Sequence, residues 1–114
     1  MNSILTTIKK IIGLAEDYTQ FDPDIIVHTN GVLMSLTQLG IGPKEGFVIT
    51  GYDEEWDMLI PNETPVRAEW IKSYVALKVR MAFDPPSGQS LIQSYERQIT
   101  EYEWRLNTAA ESEV

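Results

Sequence analysis

The side chains able to do chemistry in this 114-residue chain are few. His28 is its single histidine, and the one residue whose ordinary pKa lies near neutrality. A general base needs a nucleophile within reach and a carboxylate to orient it, and no recognisable arrangement of that kind flanks His28. Its place at the edge of an apolar helical stripe predicts packing instead. Asp53, Glu54, Glu55 and Asp57 could offer oxygen ligands to a hard cation, as in a metal-dependent hydrolase. They lack the Asp-x-Asp-x-Asp-Gly spacing and closing glutamate of a calcium loop. Acids in a first helical turn also have a simpler cause, because they complement the helix dipole. Gly40, Gly42 and Gly46 in LGIGPKEGF suggest a phosphate cradle. Yet no Gly-Lys-Ser/Thr follows, and the strand–turn–helix context of a dinucleotide site is missing. A chain without cysteine has no disulfide, thiolate metal site or cysteine nucleophile, and one histidine cannot build a multi-histidine site. The residues therefore assign no catalytic group, no metal ligands and no cofactor.

Nine basic against 17 acidic residues leave a net charge of −8. That balance excludes groove binding to nucleic acid, which needs Lys and Arg to neutralise phosphates, and it disfavours an anionic membrane surface. No run approaches the roughly 18–20 apolar residues of a membrane span. The opening MNSILTTIKKIIG is short and broken by lysines, unlike an export signal, which predicts a protein that is intracellular when made. The length fits one domain.

The elements that would position these residues are helical. Ile4, Leu5, Ile8, Ile11 and Ile12 share one face of a helix over about Ser3 to Leu14, with Thr6, Lys9 and Lys10 opposite. A second helix starts near Pro23 with Asp22 as cap and stops at Gly40. Its stripe is Ile25, Ile26, Val32, Leu33, Leu36 and Leu39, and Val27 and Met34 lie outside it. Ile41 to Gly51 reads as a long loop in which Phe47 to Thr50 could form a short strand or hairpin. A helical turn follows over Asp53 to Leu59. Thr64 and Pro65 then start a helix over Val66 to Phe83 that is apolar over well over half its circumference, and such a helix belongs in the middle of a bundle or between subunits. Asp84-Pro85-Pro86 ends it. The last helix runs to Asn107 with the stripe Leu91, Ile92, Tyr95, Ile99, Tyr102 and Leu106, and with Trp104 on the opposite face. The expectation is an all-α bundle of four to five helices over residues 1–107, with a long loop between the second and fourth, and a flexible acidic tail over 108–114.

Three tryptophans and five tyrosines are many large rings for a chain this size. Rings that one core cannot bury point to a protein interface, where aromatic residues concentrate. With enzyme signatures missing, the surplus apolar surface of the second, fourth and fifth segments suits a protein that assembles.

YVALKVRMAFDPP (Tyr74 to Pro86) and QITEYEWRLNTAAE (Gln98 to Glu111) resemble the small head–tail connector proteins of tailed bacteriophages, also called adaptor or DNA-packaging head completion proteins. The likeness is strongest to those of siphophages of Gram-positive hosts. ILTTIKKIIGLAEDYTQFDPDIIVHTN and LTQLGIGPKEGF fit the same pattern, so the resemblance spans nearly the whole chain and is weakest over Val48 to Thr64. It implies a helical, non-enzymatic virion protein made in the host cytoplasm. Such a protein docks on the portal vertex as a ring, commonly twelve-fold, extends the DNA channel and carries the next connector, stopper or tail protein. DNA would pass through without specific binding, and no membrane is involved. Val27, Met34, Trp70, Arg80, Trp104 and Arg105 are the candidate residues of a subunit or portal interface. The alternative is a small acidic phage binding module, such as a tail-assembly chaperone or regulator.

Overall fold

The structure, a computed structural model, describes residues 3–112. Five helices follow in chain order: α1 (Ile4–Ile12), α2 (Asp22–Gln38), α3 (Trp56–Leu59), α4 (Pro65–Phe83) and α5 (Gln89–Ser112). Among the described residues the only strand-like pairing is an isolated antiparallel bridge between Ser3 and Glu55. The chain is the small all-α bundle that its periodicities predict.

Local chemistry sets most helix ends. The Ser3 hydroxyl accepts from the Thr6 amide at the start of α1, and Gly13 closes that helix at φ +89°, where only glycine sits without steric cost. Thr64 accepts from the Arg67 amide and Pro65 fills the first turn of α4, a position where its missing N–H loses nothing. Gly40 stops α2 with φ +84°, and the Ile41 amide reaches back to the Leu36 carbonyl.

α4 is the central element, against which α1, α2 and α5 all pack. Ile71, Tyr74, Val75 and Val79 are fully buried there, with Ile4, Leu5 and Ile8 of α1, Ile25, Leu33 and Leu36 of α2, and Leu106 of α5. Phe21, just before α2, meets Phe83 at the end of α4 with ring centroids 5.4 Å apart, so α2 and α4 run antiparallel. α4 and α5 are antiparallel too: Tyr74 bonds Glu103 at 2.8 Å, and the Arg80 guanidinium lies 5.5 Å from the Tyr95 ring centre.

Four expectations are corrected. Lys9, placed on the water side of α1 by its sequence position, is fully buried, while Ile11 is half exposed. The buried arc of α1 is turned toward Lys9 because Asp22 waits there. For the same reason Asp22 does not cap α2: it lies inside the first turn, and its carboxylate serves Lys9 and Tyr52. Residues 47–50 form no strand, since no neighbouring strand is available to pair with them. Finally, α5 continues past Asn107 to Ser112. The side chains of residues 108–112, and residues 113–114 altogether, lie outside the described residues, and with them the expected acidic tail.

Candidate functional site

Helical geometry puts Val27, Gly31 and Met34 in one line on α2, opposite the buried Ile25, Thr29, Val32 and Leu36. Val27 is 69% and Met34 64% exposed. Nothing lies within 4 Å of where a Gly31 Cβ would stand, so no contact within the chain requires glycine there.

Val48, 61% exposed, is brought beside this line by Asn30. The Asn30 carboxamide accepts from the Ile49 amide at 2.7 Å and donates to the Ile49 carbonyl at 3.0 Å. It gives the extended segment the two bonds a strand partner would have supplied. Ile49 is buried behind it, and Val48, pointing the other way, faces solvent. Between α2 and this segment runs a groove of about 300 Å³, lined by Asn30, Met34, Thr37, Glu45, Phe47 and Val48.

Two further anchors hold the loop. Glu54 turns its carboxylate back to accept from the Thr50 amide and hydroxyl and the Gly51 amide. Burial would raise its pKa, but these bonds outweigh it and hold the group below the usual carboxylate range. Gly42, at φ +83°, packs so closely that an added Cβ would sit 3.0 Å from Leu59 Cδ1. The three loop glycines thus serve tight turns.

A second exposed face lies on α5. Trp104 is 67% exposed, on the side opposite the buried Leu106, in line with Gln93, Arg97 and Thr100. Trp70, Arg80 and Arg105 are placed differently. Arg105 bonds Glu101 at 2.6 Å and lies 5.7 Å from the centre of the Trp70 ring, and Arg80 covers Tyr95. These three join α4 to α5 within the chain, whereas Val27, Met34 and Trp104 look outward.

The buried polar groups are committed to the fold. Lys9 Nζ donates to the carbonyls of Glu16 (3.0 Å) and Tyr18 (2.7 Å) and to the Tyr52 hydroxyl (2.7 Å), with Asp22 Oδ1 at 2.9 Å as counter-ion. The Tyr52 hydroxyl in turn donates to Asp22 Oδ2. Burial alone would lower the Lys9 pKa, but the Tyr52 and Asp22 bonds and the Asp22 charge raise it above its ordinary value. Burial and the Asp22 carboxylate likewise raise Tyr52. Tyr74 is raised by burial and by its bond to Glu103.

His28 stands at the flank of α2 beside Phe83, ring centroids 6.4 Å apart. Among the described residues no three His, Asp or Glu side chains converge to hold a metal ion, and no helix is long and apolar enough to cross a membrane. What the molecule offers is an apolar line on α2 and a single exposed tryptophan on an otherwise polar face of α5, with large side chains open to a protein partner. Of the residues that shape them, Asn30 and Gly31 carried no signal beyond their lying on the flank of an apolar stripe.

No match is found among curated proteins or among solved structures. The family model described as phage connector protein, however, matches residues 4–113, which takes in every helix from Ser3-capped α1 to the end of α5. A helical bundle built around α4, with outward faces on α2 and α5 and the match running through all of it, belongs to the phage connector protein family and is a head–tail connector.

Proposed function

We propose that this connector works as an oligomeric ring on the portal vertex of the filled capsid, extending the DNA channel and presenting a platform for the next connector, stopper or tail protein. The observation that carries the reading is the pair of unlike exposed faces, Val27–Met34–Val48 and Trp104. Contact between two different faces of identical chains repeats head to tail, and it gives a ring when the rotation closes. A chain of this size buries a modest core, and neighbours in a ring cover what it leaves exposed. The net charge of −8 suits a conduit past which DNA must slide, because like charge prevents static binding. The role is structural, within the virion, after synthesis in the host cytoplasm, and it needs no cofactor. The sequence likeness favours a siphophage of a Gram-positive host and a twelve-fold ring.

Negative-stain imaging and native mass measurement of portal complexes with and without the chain test this reading. A ring of added density and a mass increment of whole copies is the expected result. Portals that gain neither would overturn it.

A further inference from the structure

We propose that Asn30 and Gly31 form a self-modification site, an Asn-Gly pair whose deamidation is held in check by α2 and by the docked loop over 46–50. Of Asn2, Asn30, Asn62 and Asn107, Asn30 alone is followed by glycine. Without a Cβ beside it, the next backbone nitrogen is free to attack the asparagine carboxamide. Gly31 is exposed, with nothing within 4 Å of its missing side chain, so water reaches the pair. In the reaction the Gly31 nitrogen bonds to Asn30 Cγ, and its proton passes to the carboxamide nitrogen, which leaves as ammonia. Water then opens the five-membered imide at either carbonyl, leaving aspartate or isoaspartate at position 30.

Two restraints oppose that step in the folded chain. Within α2 the Gly31 N–H is directed at the Val27 carbonyl one turn back, and the imide ring cannot close at helical backbone angles. The carboxamide is held as well. It accepts from the Ile49 amide at 2.7 Å and donates to the Ile49 carbonyl at 3.0 Å, which ties the leaving nitrogen to the loop. Glu54 pins that loop in turn through Thr50 and Gly51. Both restraints must let go together, and a glycine in mid-helix makes α2 easiest to open at this turn. The conversion runs one way. A carboxylate at position 30 has no donor for the Ile49 carbonyl, and an isoaspartate lengthens the backbone of α2 and breaks its bonding register. A copy that has once opened there loses the bonds that set Phe47 and Val48 beside Met34, whatever it assembles with.

Peptide mass spectrometry of the full chain, held at neutral pH with and without urea, follows the exchange of amide for acid at each asparagine. In urea Asn30 should convert ahead of Asn62 and Asn107, and Gly31→Ala should remove that lead. In the folded chain the conversion of Asn30 should be slower by roughly thirtyfold or more, the worth of two hydrogen bonds. Ile49→Pro deletes one of those bonds, and Glu54→Gln loosens the loop without touching α2 or Ile49. Each should speed conversion of the folded chain about fivefold, compared with wild type brought to equal global stability by a little urea. Converted protein should show the Ile49 amide without protection in hydrogen exchange, as should Asn30→Asp. Folded wild type that converts as fast as unfolded would overturn the inference. So would loop variants that convert at the wild-type rate, because α2 alone would then guard the site. Converted chains that keep Ile49 protected would overturn it too.

Discussion

Lys9 and Asp22, on different helices, form an ion pair of 2.9 Å inside the protein, with 1% and 13% of their side chains exposed. Removing one partner strands the other, which typically costs about 3–5 kcal/mol. Lys9→Met should therefore lower stability by that order in urea denaturation, and adding Asp22→Asn should recover part of the loss. Lys9 and Tyr52 both have raised pKa values in the folded protein. Their contribution is then fully present below their unfolded values, about 10 and above, and is lost as pH rises through the folded ones. Stability should be level across neutral pH in this respect and fall in alkali, and the fall should be smaller in Lys9→Met.

Asn30 holds residues 46–50 against α2 through both polar groups of Ile49. Asn30→Ala should cost about 2 kcal/mol, since two bonds are lost at a buried backbone. Hydrogen exchange should show the Ile49 amide losing protection while the α4 amides keep theirs at equal global stability.

Glu54 has a lowered pKa, so its contribution is present above the unfolded value near 4.5 and disappears as pH falls through the folded one. Glu54→Gln should be less stable than wild type at pH 7 by about 1 kcal/mol. The two should converge in acid, once the pH has fallen through the folded value, measured by thermal unfolding.

Gly31 sits in the interior of α2 with open space around its missing side chain. Gly31→Ala should raise the stability of the isolated chain by about 0.5–1 kcal/mol in denaturant titration, the usual penalty of a mid-helix glycine.

Helix boundaries were legible where a single local interaction sets them: the Thr64 cap, the Gly40 stop and the Asp84-Pro85-Pro86 break. The central position of α4 was legible from its wide apolar arc, and the outward direction of Trp104 from its angle to Leu106. Lys9 was not, because periodicity weighs its charge against burial and cannot see that Asp22, thirteen positions on in the sequence, returns to it. The loop between α2 and α3 was equally opaque. Its course depends on the Asn30 side chain, which acts at a distance of 19 residues. The extension of α5 past Asn107 follows from Ala109 and Ala110, strong helix formers that carry a helix without any apolar stripe. Nothing in the sequence shows that Trp70 and Arg105, on different helices, stack on each other.

The central claim, that this chain is a structural connector between head and tail, is tested most directly by quantitative mass spectrometry of purified virions. The account predicts the chain in finished particles in a fixed whole-number ratio to the portal protein, and filled heads without tails when it is deleted. A chain required for assembly yet absent from finished particles, as a tail-assembly chaperone would be, contradicts it.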